Sequence, residues 1–154
     1  MLKQGDTAPG FELPTSDMVM LSLAELKGSK NVVLYFYPKD DTPGCTIEAV
    51  ESSDLLDEFV AADTVVLGVS KDTCISHASF RDKYGLVVQL LADVEGYVSE
   101  AYGVWQEKEK DGKKRMALVR STFVIDKQGM IQHARYNVSP RNHAAEILEL
   151  VRAM

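Results

Sequence analysis

Apolar residues run almost unbroken from Val32 to Tyr37 and again from Thr64 to Ser70. A half-solvated strand alternates apolar and polar side chains, so continuous runs bounded by turn residues predict strands covered on both faces, as in a parallel sheet. Pro38 ends the first run by removing a ladder donor. Ile47, Val50, Leu55 and Phe59, with Leu56 and Val60, then recur at helical spacing and predict a helix with one buried face. Ile75 to Tyr84 reads as a short helix stopped by Gly85, Leu86 to Ala92 as a shorter strand, and Val98 to Tyr102 as a helical turn. Upstream, Phe11 and Leu13 alternate, as do Val19, Leu21 and Leu23, which predicts a hairpin; Ser22 to Glu25 has capping-box spacing for a helical turn before Gly28.

Near the other end, Arg120 to Ile125 and Met130 to Tyr136 flank Lys127-Gln128-Gly129, the signature of an antiparallel hairpin. Ser139-Pro140 has the cap and first-position chemistry of a helix start, which predicts a last helix from Arg141 to about Ala153 with Ile147, Leu148 and Val151 inside. Alternating strands and helices define an α/β chain, a central mixed sheet flanked by helices, in one domain over residues 1–154. Right-handed crossovers collect functional residues at the carboxyl ends of the parallel strands. Glu107 to Arg115 is a charged run centred on Asp111-Gly112, read as a solvated loop or hairpin tip, with a docking surface for a redox partner as the alternative.

Composition narrows the function classes. The 154 residues are 45% hydrophobic and 26% charged, enough for a sizeable core. A net charge of −6 argues against nucleic acid and anionic membranes, which need clustered positive charge. The first residues lack a signal peptide's apolar segment and no stretch has membrane-spanning length, so a cytoplasmic location is expected. Two cysteines, 29 positions apart (74 minus 45), and three scattered histidines fit neither a disulfide scaffold nor a zinc site. No metal or cofactor is expected, and His77, His133 and His143 are read as surface or core side chains.

The chemistry centres on Cys45. It lies in the first turn predicted after the Pro38–Gly44 loop, where backbone N–H groups without intrahelical acceptors favour a thiolate. Thr42 can present a hydroxyl beside the sulfur, and Gly44 leaves bare backbone for a ligand to approach. Such a cysteine is placed as a nucleophile, with an inert buried thiol as the plain alternative.

The string Pro38-Lys39-Asp40-Asp41-Thr42-Pro43-Gly44-Cys45-Thr46-x-Glu48 resembles the active-site loop of the peroxiredoxins, in the AhpC/TSA superfamily, and most closely the bacterioferritin comigratory or Q-type subfamily. Gly5-Asp6-x-Ala8-Pro9-x-Phe11, Gly68-Val69-Ser70-x-Asp72 and Arg120-Ser121-Thr122-Phe123 extend the resemblance along nearly the whole chain. It implies a thioredoxin fold and a thiol-dependent peroxidase for hydrogen peroxide and organic hydroperoxides, re-reduced by thioredoxin or another thiol donor. Cys45 would be peroxidatic, Thr42 and Arg120 catalytic, and Pro38, Gly44 and Glu48 supporting, with Glu48 holding the arginine or capping the helix. Asp40 and Asp41 disfavour a nearby thiolate and are expected to point to solvent.

One feature departs from the subfamily. Many members carry a resolving cysteine five residues after the first, where this chain has Val50, and others carry it on the next helix, nearer Arg81 than Cys74. Cys74 remains a resolving candidate beside one-cysteine chemistry with an external thiol, as monomer or homodimer. The enzyme alternative is a thiol-disulfide oxidoreductase, although Cys45-Thr46-Ile47-Glu48 lacks a second cysteine. A redox-controlled binding protein or holdase is the non-enzyme alternative.

Overall fold

The computed structural model describes residues 1–154. Strand β3 (Asn31–Phe36), the first apolar run, lies at the middle of a five-stranded sheet. It pairs in parallel with β4 (Thr64–Ser70), which pairs in parallel with β5 (Gln89–Ala92). On the other side β8 (Ser121–Ile125) runs antiparallel to β3, and β9 (Ile131–Arg135) closes the sheet as the expected hairpin partner.

Period-two alternation sends the two sides of β3 into two cores. Val32, Leu34 and Phe36 pack with Phe11, Leu13, Tyr102 and Phe123 under the N-terminal hairpin, β1 (Glu12–Pro14) and β2 (Met20–Ser22). Val33, Tyr35 and Tyr37 face the opposite layer, with Phe59, Phe80, Ile147 and Val151. Cys45 and Ala49 belong to this second layer.

Helix α1 (Leu23–Leu26) carries the expected Ser22 cap, whose side chain accepts the Glu25 N–H. Helix α4 (Cys74–Tyr84) starts under a Thr73 cap and stops at left-handed Gly85, φ 63°. Its following strand is shorter than expected, and α5 (Tyr97–Ala101) supplies the single helical turn. The charged run is the tip of a hairpin, β6 (Trp105–Lys110) and β7 (Lys113–Leu118), turning at Asp111-Gly112 with positive φ at both residues. No helix is long and apolar enough to cross a membrane.

Two further elements differ from expectation. The helix after Cys45 is two pieces, α2 (Pro43–Asp54) and α3 (Leu56–Ala61), because Ser52-Ser53-Asp54 is a run of weak helix formers and the Ser53 hydroxyl accepts the N–H groups of Val87 and Val88. Its buried face in α2 is Cys45, Glu48, Ala49 and Ser52 rather than the apolar stripe, and Val60 is exposed. The last helix, α6, begins at His143 and ends at Arg152. Asn142 takes a left-handed φ of 62° while its N–H donates to Glu51 Oε2, so Ser139 and Pro140 belong to a loop that closes over the start of α2.

Candidate active site

The site forms where β3 runs out. The Tyr37 N–H makes the last bond to β4, at Val69 O, and Pro38 then turns the chain away. Asp41 adopts a positive φ of 58°, a conformation aspartate tolerates better than most residues, and Pro43 occupies the first turn of α2. Thr42 is the N-cap residue, yet its hydroxyl donates to Lys39 O at 2.8 Å and makes no bond to a backbone N–H of the helix or to the cysteine sulfur. The hydroxyl thus braces the loop.

Cys45 is 1% exposed. Arg120, at the entry to β8, reaches it across 75 positions of sequence: Nη2 donates to Sγ at 3.3 Å and Nη1 donates to Glu48 Oε1 at 2.7 Å. Gly44 makes the approach feasible, since a Cβ there would lie 3.1 Å from Arg120 Nη2 and 3.3 Å from Pro140 Cγ. The Arg120 carbonyl accepts the Val138 N–H, which fixes the arginine backbone to the loop leading to Pro140. Cys45, Glu48 and Arg120 are therefore brought together as expected, with Pro140 as a wall that sequence reasoning missed.

Burial pushes the Glu48 carboxyl up to about 7, against the opposing pull of Arg120. Burial also works against the guanidinium charge, but Glu48 and Cys45 outweigh it and hold Arg120 above its ordinary value. A half-buried, permanently charged donor fork at bonding distance from sulfur stabilises negative charge there and leaves N–H groups to polarise an incoming oxygen.

Asp40 does not point to solvent. Its carboxylate is 7% exposed and accepts from Tyr37 O–H at 2.6 Å and Ser76 O–H at 2.8 Å, with His77 Nδ1 at 2.7 Å. Burial opposes the charge, but these hydrogen bonds prevail and hold the carboxyl below its usual range. The other His77 nitrogen, Nε2, meets Leu91 O at 2.9 Å, so both ring nitrogens face oxygen acceptors. Asp41 is at the surface, tied to α4 by Lys83 Nζ at 2.7 Å and Tyr84 O–H at 2.6 Å.

The signal for the buried pair was the i, i+3 spacing of His77 and Phe80, the buried stripe of α4, where a histidine needs a polar partner. Asp40, Asp72 and His77 also bring ligand atoms within 4.8 Å of one another. Those atoms are already engaged: Asp72 Oδ2 accepts from Ser70 O–H and the Asp40 N–H, and Asp40 is saturated as described. Hydrogen bonding accounts for the cluster without an ion.

Cys74 is the first residue of α4, half-buried, and both cysteines are free thiols. Val50, at the place of the subfamily's usual second cysteine, is half-buried on α2.

Residues 4–134 match the AhpC/TSA family. A Coxiella burnetii protein assigned as a peroxiredoxin Bcp is 47% identical over 147 residues, covering 96% of this chain and 97% of its own. The solved bacterioferritin comigratory protein of Xanthomonas campestris, a structure addressing alkyl peroxide reduction, superposes with a TM-score of 0.89 at 35% identity, over 93% of this chain and 90% of that one. A cysteine-to-serine mutant of Xylella fastidiosa PrxQ gives 0.93 at 34% identity, over 99% and 97%. The five-stranded sheet and its flanking helices are a thioredoxin fold, and the chain belongs to the AhpC/TSA family as a peroxiredoxin of the bacterioferritin comigratory, or Q, type.

Proposed function

We propose that this peroxiredoxin reduces hydrogen peroxide and small organic hydroperoxides through Cys45, in the cytoplasm, with thioredoxin or another thiol as electron donor. The single observation that carries the reading is the Arg120 guanidinium shared between Cys45 Sγ and Glu48 Oε1. The Cys45 thiolate attacks one peroxide oxygen, an S–O bond forms as the O–O bond breaks, and the departing alkoxide or hydroxide takes up a proton to leave as alcohol or water. Sulfur gives up two electrons and becomes sulfenic acid. Arg120 donates to the oxygens as charge moves along them. Pro38, Gly44 and the Thr42–Lys39 bond shape the loop, and Glu48 anchors the arginine.

A donor thiol then condenses with the sulfenic acid, releasing water, and a second thiol reduces the mixed disulfide back to the Cys45 thiol. We favour external resolution because Val50 stands where the local partner would be, and Cys74 is the alternative partner. The single-cysteine string after Cys45 disfavours a thiol-disulfide oxidoreductase. The test is to treat reduced protein with one equivalent of peroxide and map the product by non-reducing peptide mass spectrometry. Sulfenic acid trapped at Cys45 supports the reading, an intrachain bridge to Cys74 revises its second half, and peroxide consumption that survives Cys45→Ser ends it.

A further inference from the structure

Three polar side-chain atoms in the interior lack a hydrogen-bond partner within the chain: Tyr35 Oη, Thr46 Oγ1 and Glu48 Oε2. Buried polar groups are satisfied in all but a few cases, so each such atom calls for a partner. Tyr35 and Glu48 line the same small cavity, of about 10 Å³, together with the polar side chains of Ser52, Thr122 and His143. The Tyr35 ring lies over the bare backbone of Gly68, its partner in the β3–β4 register; a Cβ at Gly68 would come within 2.6 Å of Tyr35 Cζ and Oη. Two of the side chains that line this space thus carry an unsatisfied polar atom.

We infer that this cavity holds one buried water, which accepts the Tyr35 O–H and donates to Glu48 Oε2, making Tyr35 a positioning residue for the Glu48–Arg120 pair. The volume is that of a single water, on the order of 10 Å³, and such a water needs two to four polar partners. Thr122 Oγ1, at 2.8 Å from His143 Nε2, borders the same space as a further partner. The water solvates the carboxylate on the side away from Arg120 and so favours its ionised form, in which Oε1 holds Nη1 while Nη2 stays on the sulfur.

The charged and titratable groups facing Glu48 are few. Arg120, from the β8 entry, favours the carboxylate and Glu51, on α2, opposes it. Cys45 shares Arg120 with it on α2, and Tyr35 approaches from β3. His143, from α6, is pushed down by burial and faces the cavity as a neutral ring. Burial, only partly offset by Arg120, moves Glu48 up to about 7, so one hydrogen bond gained or lost at Oε2 changes its charge in the working range.

The catalytic consequence rests on the function proposed above; the water and the carboxyl titration stand apart from it. A high-resolution crystal structure of the wild-type protein is expected to show one ordered water between Tyr35 Oη and Glu48 Oε2. Infrared titration assigns the protonated-carboxyl band to Glu48 by its loss in Glu48→Gln. Tyr35→Phe is expected to lose the water, to raise the midpoint of that band by about one pH unit, and to move the acid limb of kcat/KM upward by the same amount. A dry cavity in the wild-type crystal, or a Tyr35→Phe band that titrates where the wild-type band does, overturns the inference. The crystal and the wild-type band need no variant, so a Tyr35→Phe chain that failed to fold would still leave the water open to refutation. A water and a shifted band in a protein that never consumes peroxide would refute the proposed function and leave this inference standing.

Discussion

Replacing Arg120 with Met separates two roles that one guanidinium performs. The substitution keeps an apolar stem and removes both the 2.7 Å bond to Glu48 and the 3.3 Å bond to Cys45. Breaking a buried ion pair ordinarily costs about 3–5 kcal/mol, because a charge is stranded. Here Glu48 has another route: its carboxyl already stands at about 7, so near neutral pH it takes up the proton at a cost of about 1 kcal/mol or less. Adding the lost hydrogen bond gives a destabilisation of about 1–2 kcal/mol at neutral pH. Above that pH the variant keeps a proton that the wild type has released. Its folded state then binds more protons, and its deficit grows by about 1.4 kcal/mol per pH unit. Activity follows a different course. Loss of a preorganised donor to the reacting oxygens lowers kcat/KM on the order of 10²–10³-fold. Urea denaturation at pH 7 and one unit higher gives the first quantity, and single-turnover peroxide consumption the second. A deficit of several kcal/mol that ignores pH would refute the account of Glu48, and a rate within tenfold of wild type would refute the role of Arg120.

The same carboxyl makes wild-type stability depend on pH. Its folded value of about 7 lies above its ordinary 4.5, so the folded state binds the extra proton and stability falls as pH rises between those two values, by at most about 3 kcal/mol; Glu48→Gln is expected to flatten that slope in urea titrations, and an unchanged slope counts against the burial argument. Asp40→Asn puts an amide among three donors and faces His77 with no charge, so it is expected to cost about 2–3 kcal/mol and to raise hydrogen exchange in the Pro38–Thr42 loop, whereas unaltered exchange would show that the loop holds itself. Cys74→Ser is expected to leave the first turnover intact and, with a small external thiol, the steady-state rate within about twofold of wild type; loss of turnover together with loss of an intrachain bridge would make Cys74 the resolving residue.

The strands were legible because burial on both faces leaves an unmistakable pattern: Val32 to Tyr37 and Thr64 to Ser70 could be nothing exposed. The Gly85 stop and the Asp111-Gly112 tip were legible because positive φ selects its residues. The face of α2 was misjudged for a reason tied to function. Hydrophobic periodicity assumes that a helix buries its apolar side, but α2 turns Cys45, Glu48 and Ser52 inward and leaves Ile47 and Val50 only half covered. A helix that brings a buried carboxyl and a buried thiol to one arginine has to break that rule. The start of α6 failed differently: Ser139-Pro140 is a sound local signal, overridden by tertiary bonds from Asn142 to Glu51 and by the packing of Pro140 near Gly44.

The acidic residues beside the cysteine pose the sharper lesson. Two carboxylates near a thiolate create a like-charge problem, and exposure to water is the remedy a sequence offers. The fold takes another. Asp40 is hydrogen-bonded in place by His77, 37 positions away, with two hydroxyl donors beside it, and Asp41 is held by Lys83 and Tyr84 at the other end of the same helix. Holding the carboxylates in these bonds turns them from the sulfur as exile would have done, and it does something exile could not. Both ends of α4 now grip the loop that positions Thr42 and Cys45, so the electrostatic remedy is also the clamp. No local pattern encodes this, because the partner helix arrives only once β4 has paired with β3 and set α4 against the carboxyl edge of the sheet.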